Sequence, residues 1–223
     1  MNPWIFFKVK WFLFKEGRAV RRHFPSFLPY EKAIERAYRG LNPFQLCKAQ
    51  LKKQGEAIID GYGETPLPAL AIIAQECGLN QDDFLIELGC GRGRGCFFLH
   101  HLLGCRVLGI DWVPFFIETA NQLGRALSSQ VSFQCVPMQT ADLRTATVIY
   151  LYGTCLSDPL IHTLIDRFKV LPPSTKIITV SYPLSDYSSD FYTHKQWQIE
   201  LPWGQAEVFL NYKIPFISAR RRA

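Results

Sequence analysis

The chain has 223 residues, 48% hydrophobic and 20% charged, a balance that supports one sizeable buried core and excludes a disordered or low-complexity chain. Much of the formal net charge of +6 sits at the two ends, in Lys8, Lys10, Lys15, Arg18, Arg21 and Arg22 and in Arg220 to Arg222, leaving the middle of the chain close to balanced. Seven cysteines, an odd number with no Cys-x-x-Cys spacing, argue against a disulfide framework and for a reducing compartment, with the cytoplasm as the expectation.

Residues 1–60 read as a basic, aromatic-rich arm. Trp4 to Phe14 is strongly apolar but only 11 residues long and is interrupted by Lys8 and Lys10, against the roughly 20 needed to span a bilayer. It also lacks the layout of a signal peptide. As a helix it would put Trp4, Phe7, Trp11 and Phe14 on one face with lysines alongside, while Phe6, Val9 and Leu13 on the other side spoil clean amphipathicity. Packing onto the rest of the chain or onto a second subunit is the expected use, and peripheral membrane contact through residues 4–22 is the alternative. Further helix is expected from Tyr30 through Ile59, broken near Gly40-Leu-Asn-Pro43. Thr65 can then cap a helix with Pro66 in its first position, running to Cys77 and closed by Gly78.

From there the pattern alternates. Strands are expected over 84–88, 106–110, 131–136, 147–152 and 176–182, with helices over 96–103, 114–127 and 158–169 between them. The last segment differs: Trp197, Ile199 and Leu201, then Ala206, Val208, Leu210 and Tyr212, alternate around Pro202-Trp-Gly204 as an antiparallel hairpin would. The expected fold is an α/β, doubly wound, mostly parallel sheet finished by that hairpin, spanning 61–217, with a basic tail at 218–223.

The first strand ends in Phe84-Leu-Ile-Glu-Leu-Gly-Cys-Gly-Arg-Gly-Arg-Gly95, an acid passing directly into alternating glycines. Gly89, Gly91 and Gly93, with Cys90 among them, supply a turn that backbone can bring close to a ligand, as in nucleotide-binding loops. The dinucleotide fingerprint is missing its third small residue, which falls on Arg94 or Cys96. A Glu87 carboxylate pointed into the turn would repel a pyrophosphate and attract an α-ammonium, which favours S-adenosylmethionine over a nicotinamide dinucleotide. Asp111, at the end of the second strand, can accept both ribose hydroxyls of either cofactor. Acid-glycine loop, parallel sheet and closing hairpin together match the class I methyltransferase fold.

Tyr62-Gly-Glu-Thr65 followed by a helix and then Asp82-Asp-Phe-Leu-Ile-Glu-Leu-Gly-Cys-Gly-Arg-Gly93 resembles the non-SET histone-lysine methyltransferases and their relatives. Those relatives include mitochondrial enzymes that methylate lysines of inner-membrane proteins and small bacterial proteins. The resemblance covers residues 60–184 and implies that Tyr62 and Thr65 close over bound cofactor, with Thr65 able to meet the methionine carboxylate. It implies a protein-lysine N-methyltransferase. The chain departs from the family after the third strand, where an acid and an aromatic normally hold adenine but Val136-Pro-Met-Gln139 stands. Met138 packing on the ring and Gln139 bonding the adenine amino group are the candidates there, with an ordinary loop as the alternative. After the fourth strand, Tyr152 and Gly153 replace an asparagine pair.

Tyr152 is the candidate catalytic residue, lining the methyl site and orienting an amine, with a core aromatic as the alternative. No metal site is predicted: His100 and His101 are adjacent and cannot share a helix face, and Asp158, His162 and Asp166 form a solvated stripe. Cys90 reads as a packing residue. Other functions left open are a scaffold retaining the fold and attached to a membrane or protein partner, and methylation of RNA or a small molecule; a protein substrate ranks above nucleic acid, since no RNA-recognition motif accompanies the basic ends.

Overall fold

The computed structural model describes residues 3–53, 55, 62–154 and 156–215, with side chains from residue 7 onward. The helix expected to continue to Ile59 and the basic tail at 218–223 lie outside the described residues beyond Lys53 and Pro215. Before the sheet come α1 (Pro3–His23), a short 3-10 turn at Pro25–Phe27, α2 (Leu28–Ala37), α3 (Pro43–Lys53) and α4 (Leu67–Glu76). Then follow β1 (Phe84–Leu88), α5 (Arg94–Leu103), β2 (Arg106–Asp111), α6 (Pro114–Ala126), β3 (Ser132–Cys135), β4 (Val148–Leu151), α7 (Asp158–Phe168), β5 (Lys176–Val180), β6 (Phe191–Leu201) and β7 (Gly204–Lys213).

The strands form one sheet in the order β3-β2-β1-β4-β5-β7-β6. All pairs from β3 to β5 are parallel, and β7 slots antiparallel between β5 and β6. Alternation along the buried strands sends Leu85, Val107, Val148, Tyr150 and Ile178 into one core with α4, α5 and α6. Ile86, Leu88, Ile110, Ile149 and Leu151 enter a second core under α7. At the β1–α5 turn Gly93 has φ +74°, and a Cβ there would come within 2.5 Å of the Phe133 ring, so both backbone and space demand glycine. The hairpin is tied in by buried Asn211, whose amide donates to the carbonyl of Ile177 and to Thr179 Oγ1 (3.1 and 3.0 Å) while its oxygen accepts from the Leu184 amide (3.1 Å).

The arm shares the first of these cores: Val20, Phe27, Ile34 and Tyr38 are buried in it, and Phe27 meets Phe98 of α5 edge-on at 5.3 Å. A polar knot accompanies the packing. Arg94, the first residue of α5, donates to Glu16 of α1 at 2.9 Å and to Glu31 of α2 at 2.6 Å. Glu16 also accepts from the Leu67 amide at 3.1 Å and so caps α4, placing a carboxylate at its positive end. This corrects the expected cap: Pro66, in extended conformation, is the residue before the helix, and Thr65 makes no cap bond. The Thr65 hydroxyl instead pairs with the buried Tyr150 hydroxyl at 2.5 Å. His100 and His101 serve packing in different directions, to the Cys105 carbonyl and to Ser26 Oγ.

Candidate active site

β1, β2 and β4 all run the same way, so their carboxyl ends open on one crevice, and a cavity of about 410 Å³ lies there. That is the range of small-molecule pockets, roughly 300–1,000 Å³. Of the residues singled out from the sequence, Tyr62, Gly89, Gly91, Asp111, Met138, Gln139 and Tyr152 line it. Thr65, Glu87, Cys90 and Gly93 do not.

Asp111 is the best-defined of these. Its two carboxylate oxygens accept from the backbone amides of Gly91 and Val113, each at 2.9 Å, so the acid at the end of β2 holds the glycine loop that follows β1. Burial raises its pKa, and the backbone amides of Val113, Gly91 and Trp112 offset this only in part. Each oxygen keeps lone-pair capacity toward the cavity, as two ribose hydroxyls require.

Glu87 is a correction. Strand alternation carries its side chain away from the cavity wall, where Leu88 stands, and down against the start of α5. A Cβ on Gly95 would lie 3.0 Å from both of its oxygens, and the Cys96 thiol donates to it at 3.0 Å. Burial raises its pKa to about 7, and Cys96 only partly offsets this. Glu87 therefore faces a ligand in the loop through the protein interior and not by contact, and no cationic side chain is bonded to it among the described residues.

Cys90 is buried beside it with its thiol pushed up to about 11 by burial, the condition of an inert packing residue. Thr65, held on Tyr150, is likewise behind the wall, so the expected bond to a methionine carboxylate is not available in this arrangement.

Tyr62 does lie over the loop. A Cβ on Gly91 would come within 3.0 Å of its ring, so the missing side chain is what lets the ring settle there. Its hydroxyl donates to Glu64 at 2.5 Å, and Glu64 takes a bidentate grip from Arg92 at 2.6 and 2.7 Å. Burial alone would raise the Glu64 carboxyl, but the hydrogen bond and charge of Arg92 outweigh it and leave the pKa lowered. Residues 62–64 are thus latched to the loop they cover. The match of Glu64 and Arg92 was invisible in the sequence because nothing in either residue's local pattern selects the other.

Met138 packs over Gly89, its methyl 3.5 Å from where a Cβ would be, and Gln139 follows it along the wall. Other lining residues escaped the sequence reading, among them Trp112 and Phe116, Cys47 and Leu51 of α3, and Leu160 and Thr163 of α7. The apolar spacing of Cys47 and Leu51, four apart on one helix face, was the available signal.

On the far side the Tyr152 ring lies 6.4 Å from that of Trp203, at the β6–β7 turn. Both crowd Gly63, whose Cβ would sit 3.0 Å from Tyr152 and 3.2 Å from Trp203. Gly153 is dictated by packing, since a Cβ there would meet the Tyr182 hydroxyl at 2.6 Å. Among the described residues, no lysine or arginine lines the cavity and no cluster of His, Cys, Asp and Glu could hold a metal ion.

Comparison with known proteins agrees with this architecture. Residues 85–171 match the methyltransferase domain family. Sterol 24-C-methyltransferase of Kluyveromyces lactis is 22% identical over 145 residues, covering 61% of this chain and 39% of that protein. The chain thus spans about two fifths of the length of the curated relatives it matches. Among solved structures, an RNA methyltransferase from Salinibacter ruber in complex with S-adenosyl-L-homocysteine aligns with TM-score 0.56 and 22% identity over 69% of this chain and 95% of its own. Geranyl diphosphate C-methyltransferase from Streptomyces coelicolor, also with S-adenosyl-L-homocysteine, aligns at 0.55 and 15% over 66% and 76%. The glycine loop and Asp111 fall within residues 85–171, which match the methyltransferase domain family, and the chain as a whole has the class I methyltransferase fold, with its mostly parallel seven-stranded sheet and antiparallel last strands.

Proposed function

We propose that this chain is an S-adenosylmethionine-dependent methyltransferase that acts on the side-chain amine of a lysine in a protein substrate. In this reading residues 61–217 are the transferase body, 1–60 its arm and 218–223 a tail. The residues present suit the cofactor: Asp111 offers acceptors for ribose hydroxyls, Met138 and Gln139 offer an apolar surface and an amide for adenine, and Tyr62 covers the loop. When bound, the cofactor would supply a sulfonium methyl group whose carbon an amine lone pair attacks in line, the N–C bond forming as the C–S pair leaves with the neutral thioether and the amine gives up a proton.

The observation that carries the acceptor assignment is the Tyr152 ring on the cavity wall next to Gly63, with the exposed Trp203 ring 6.4 Å from it just outside the lining and also against Gly63. Ring faces attract a cationic amine as it arrives, and an apolar surround then favours its neutral, nucleophilic form. The lack of lysine or arginine on the described cavity wall argues against a phosphate-bearing acceptor such as RNA.

Incubating the chain with methyl-labelled cofactor and an extract of cells lacking it tests the proposal. Label is expected in protein and, after acid hydrolysis, in methylated lysine. Label confined to RNA, lipid or small molecules would overturn the lysine assignment, and no transfer to any fraction would overturn the activity.

A further inference from the structure

Helix α1 has two faces of opposite character. Toward the protein it turns Val9, Phe12, Glu16 and Val20, the last two buried and the first two partly so. Of the residues that spoil the amphipathic pattern, Val9 is on the packed side, whereas Leu13 is 51% exposed. On the opposite face Phe7, Trp11 and Phe14 follow at helical spacing and are 70%, 59% and 51% exposed. Trp11 and Phe14 stack at 5.8 Å.

Cations flank this aromatic ridge on both sides. Lys8, Lys15 and Arg22, seven residues apart, run along one flank, and Lys10 and Arg21 along the other, all of them exposed. The single acid of the helix, Glu16, is turned inward onto Arg94. The outward face thus carries exposed rings along its centre, with Arg18 set over the Phe14 ring, cations along its edges and, among its described side chains, no negative charge. Water disfavours the ridge, and a second copy of the same helix would set like charges against each other on both flanks.

We propose that the outer face of α1 docks onto an anionic lipid bilayer, with Phe7, Trp11 and Phe14 in the acyl boundary and the flanking lysines and arginines among the headgroups. Rings at the interface with long cationic side chains reaching outward is the arrangement by which helices lie in a membrane surface without crossing it. The described helices agree, none being long and apolar enough to cross a membrane. Because Glu16 on the inner face bonds Arg94 at the start of α5, docking would hold the body of the protein rigidly against the surface.

The test is flotation of the full chain with vesicles of phosphatidylcholine alone and of phosphatidylcholine with about one third phosphatidylglycerol. Binding is expected only to the anionic vesicles and is expected to fall with added salt. The variant Trp11→Ser/Phe14→Ser should lose it, and Lys8→Glu/Lys15→Glu/Arg22→Glu should weaken it by at least about tenfold. Circular dichroism and thermal melting, expected to match the parent, keep folding out of the comparison. The proposal is overturned if neither vesicle binds, if both bind equally, or if the variants bind like the parent. Concentration-dependent self-association abolished by Trp11→Ser/Phe14→Ser, without vesicle binding, would assign the face to a second copy instead.

Discussion

The carboxyl ends of β1 and β2 each carry one acid, and from sequence the two look equivalent: Glu87 and Asp111 both close an apolar strand beside the glycine loop. In the fold they do opposite things. Asp111 is the final residue of β2, where the chain is already turning, and its carboxylate reaches the amides of Gly91 and Val113. Glu87 is one residue short of the end of β1, still within the regular alternation, and that single step sends it into the interior against Gly95 and Cys96. An acid at a strand end contacts the crevice only if the pleat has already released it. Asp111 lines the cavity and holds the glycine loop, whereas Glu87 is buried beneath it at a cost to the fold when ionised.

The largest expected effect that separates them is at Asp111. Asp111→Ala leaves two buried amides without acceptors, each costing about 1–3 kcal/mol, and frees the loop. Cofactor affinity measured by calorimetry should fall about a hundredfold or more, with a clear loss of thermal stability. If affinity falls by less than about tenfold, Asp111 is not the loop's anchor.

Glu87 should behave in the reverse sense for stability. Its folded pKa is raised to about 7 from the ordinary 4.5 by burial, so the folded chain binds this proton more tightly than the unfolded one. The resulting stability is present below pH 4.5 and is lost as pH rises to about 7. Glu87→Gln should accordingly stabilise the cofactor-free chain above pH 7, by at most about 3 kcal/mol, and make little difference at pH 4.5. Denaturant midpoints of parent and variant across that window decide it; a gain independent of pH would point to packing. Without contact to the ligand, Glu87→Gln should weaken cofactor binding far less than Asp111→Ala does.

The Tyr62–Glu64–Arg92 latch tests whether the loop held from below by Asp111 also needs its cover. Arg92→Ala leaves Glu64 with only the Tyr62 hydroxyl, a loss of about 2 kcal/mol for a partly buried pair. Cofactor dissociation in stopped-flow should quicken roughly thirtyfold, equivalent to that loss of closure. An unchanged rate would mean that Tyr62 stays in place by its packing on Gly91 and Phe116 alone.

What was legible and what was not divide along the same line. The strand at 84–88 and the helix from Pro114 were readable because each is bounded by its own punctuation, a glycine loop in one case and a proline in the other. The mostly parallel sheet with its antiparallel end follows from that alternation and the closing hairpin. Within the site, Gly89, Gly91, Asp111, Met138, Gln139 and Tyr152 reach the cavity because loops after parallel strands must gather there. The misplacements are non-local. Thr65 was read as a cap from its neighbours, but Glu16 on α1 already fills that end of α4, and the freed hydroxyl went to Tyr150. Glu64–Arg92 and the Glu16–Arg94–Glu31 knot join separate elements with no local signature, so only the fold reveals them.

The smallest effect is expected where the acceptor would enter. If the Tyr152 ring acts as a wall facing Trp203, Tyr152→Phe keeps that wall and should hold the single-turnover rate within about threefold. Tyr152→Ala removes it and should cost about tenfold, the worth of one cation–ring contact. The reverse pattern, with Tyr152→Phe as damaging as Tyr152→Ala, would make the hydroxyl the working group and assign Tyr152 a role in moving or holding the amine proton. Both variants keep Asp111 and the glycine loop, so their cofactor affinity should stay near that of the parent, and a parallel loss of binding would place Tyr152 with the cofactor and not with the acceptor.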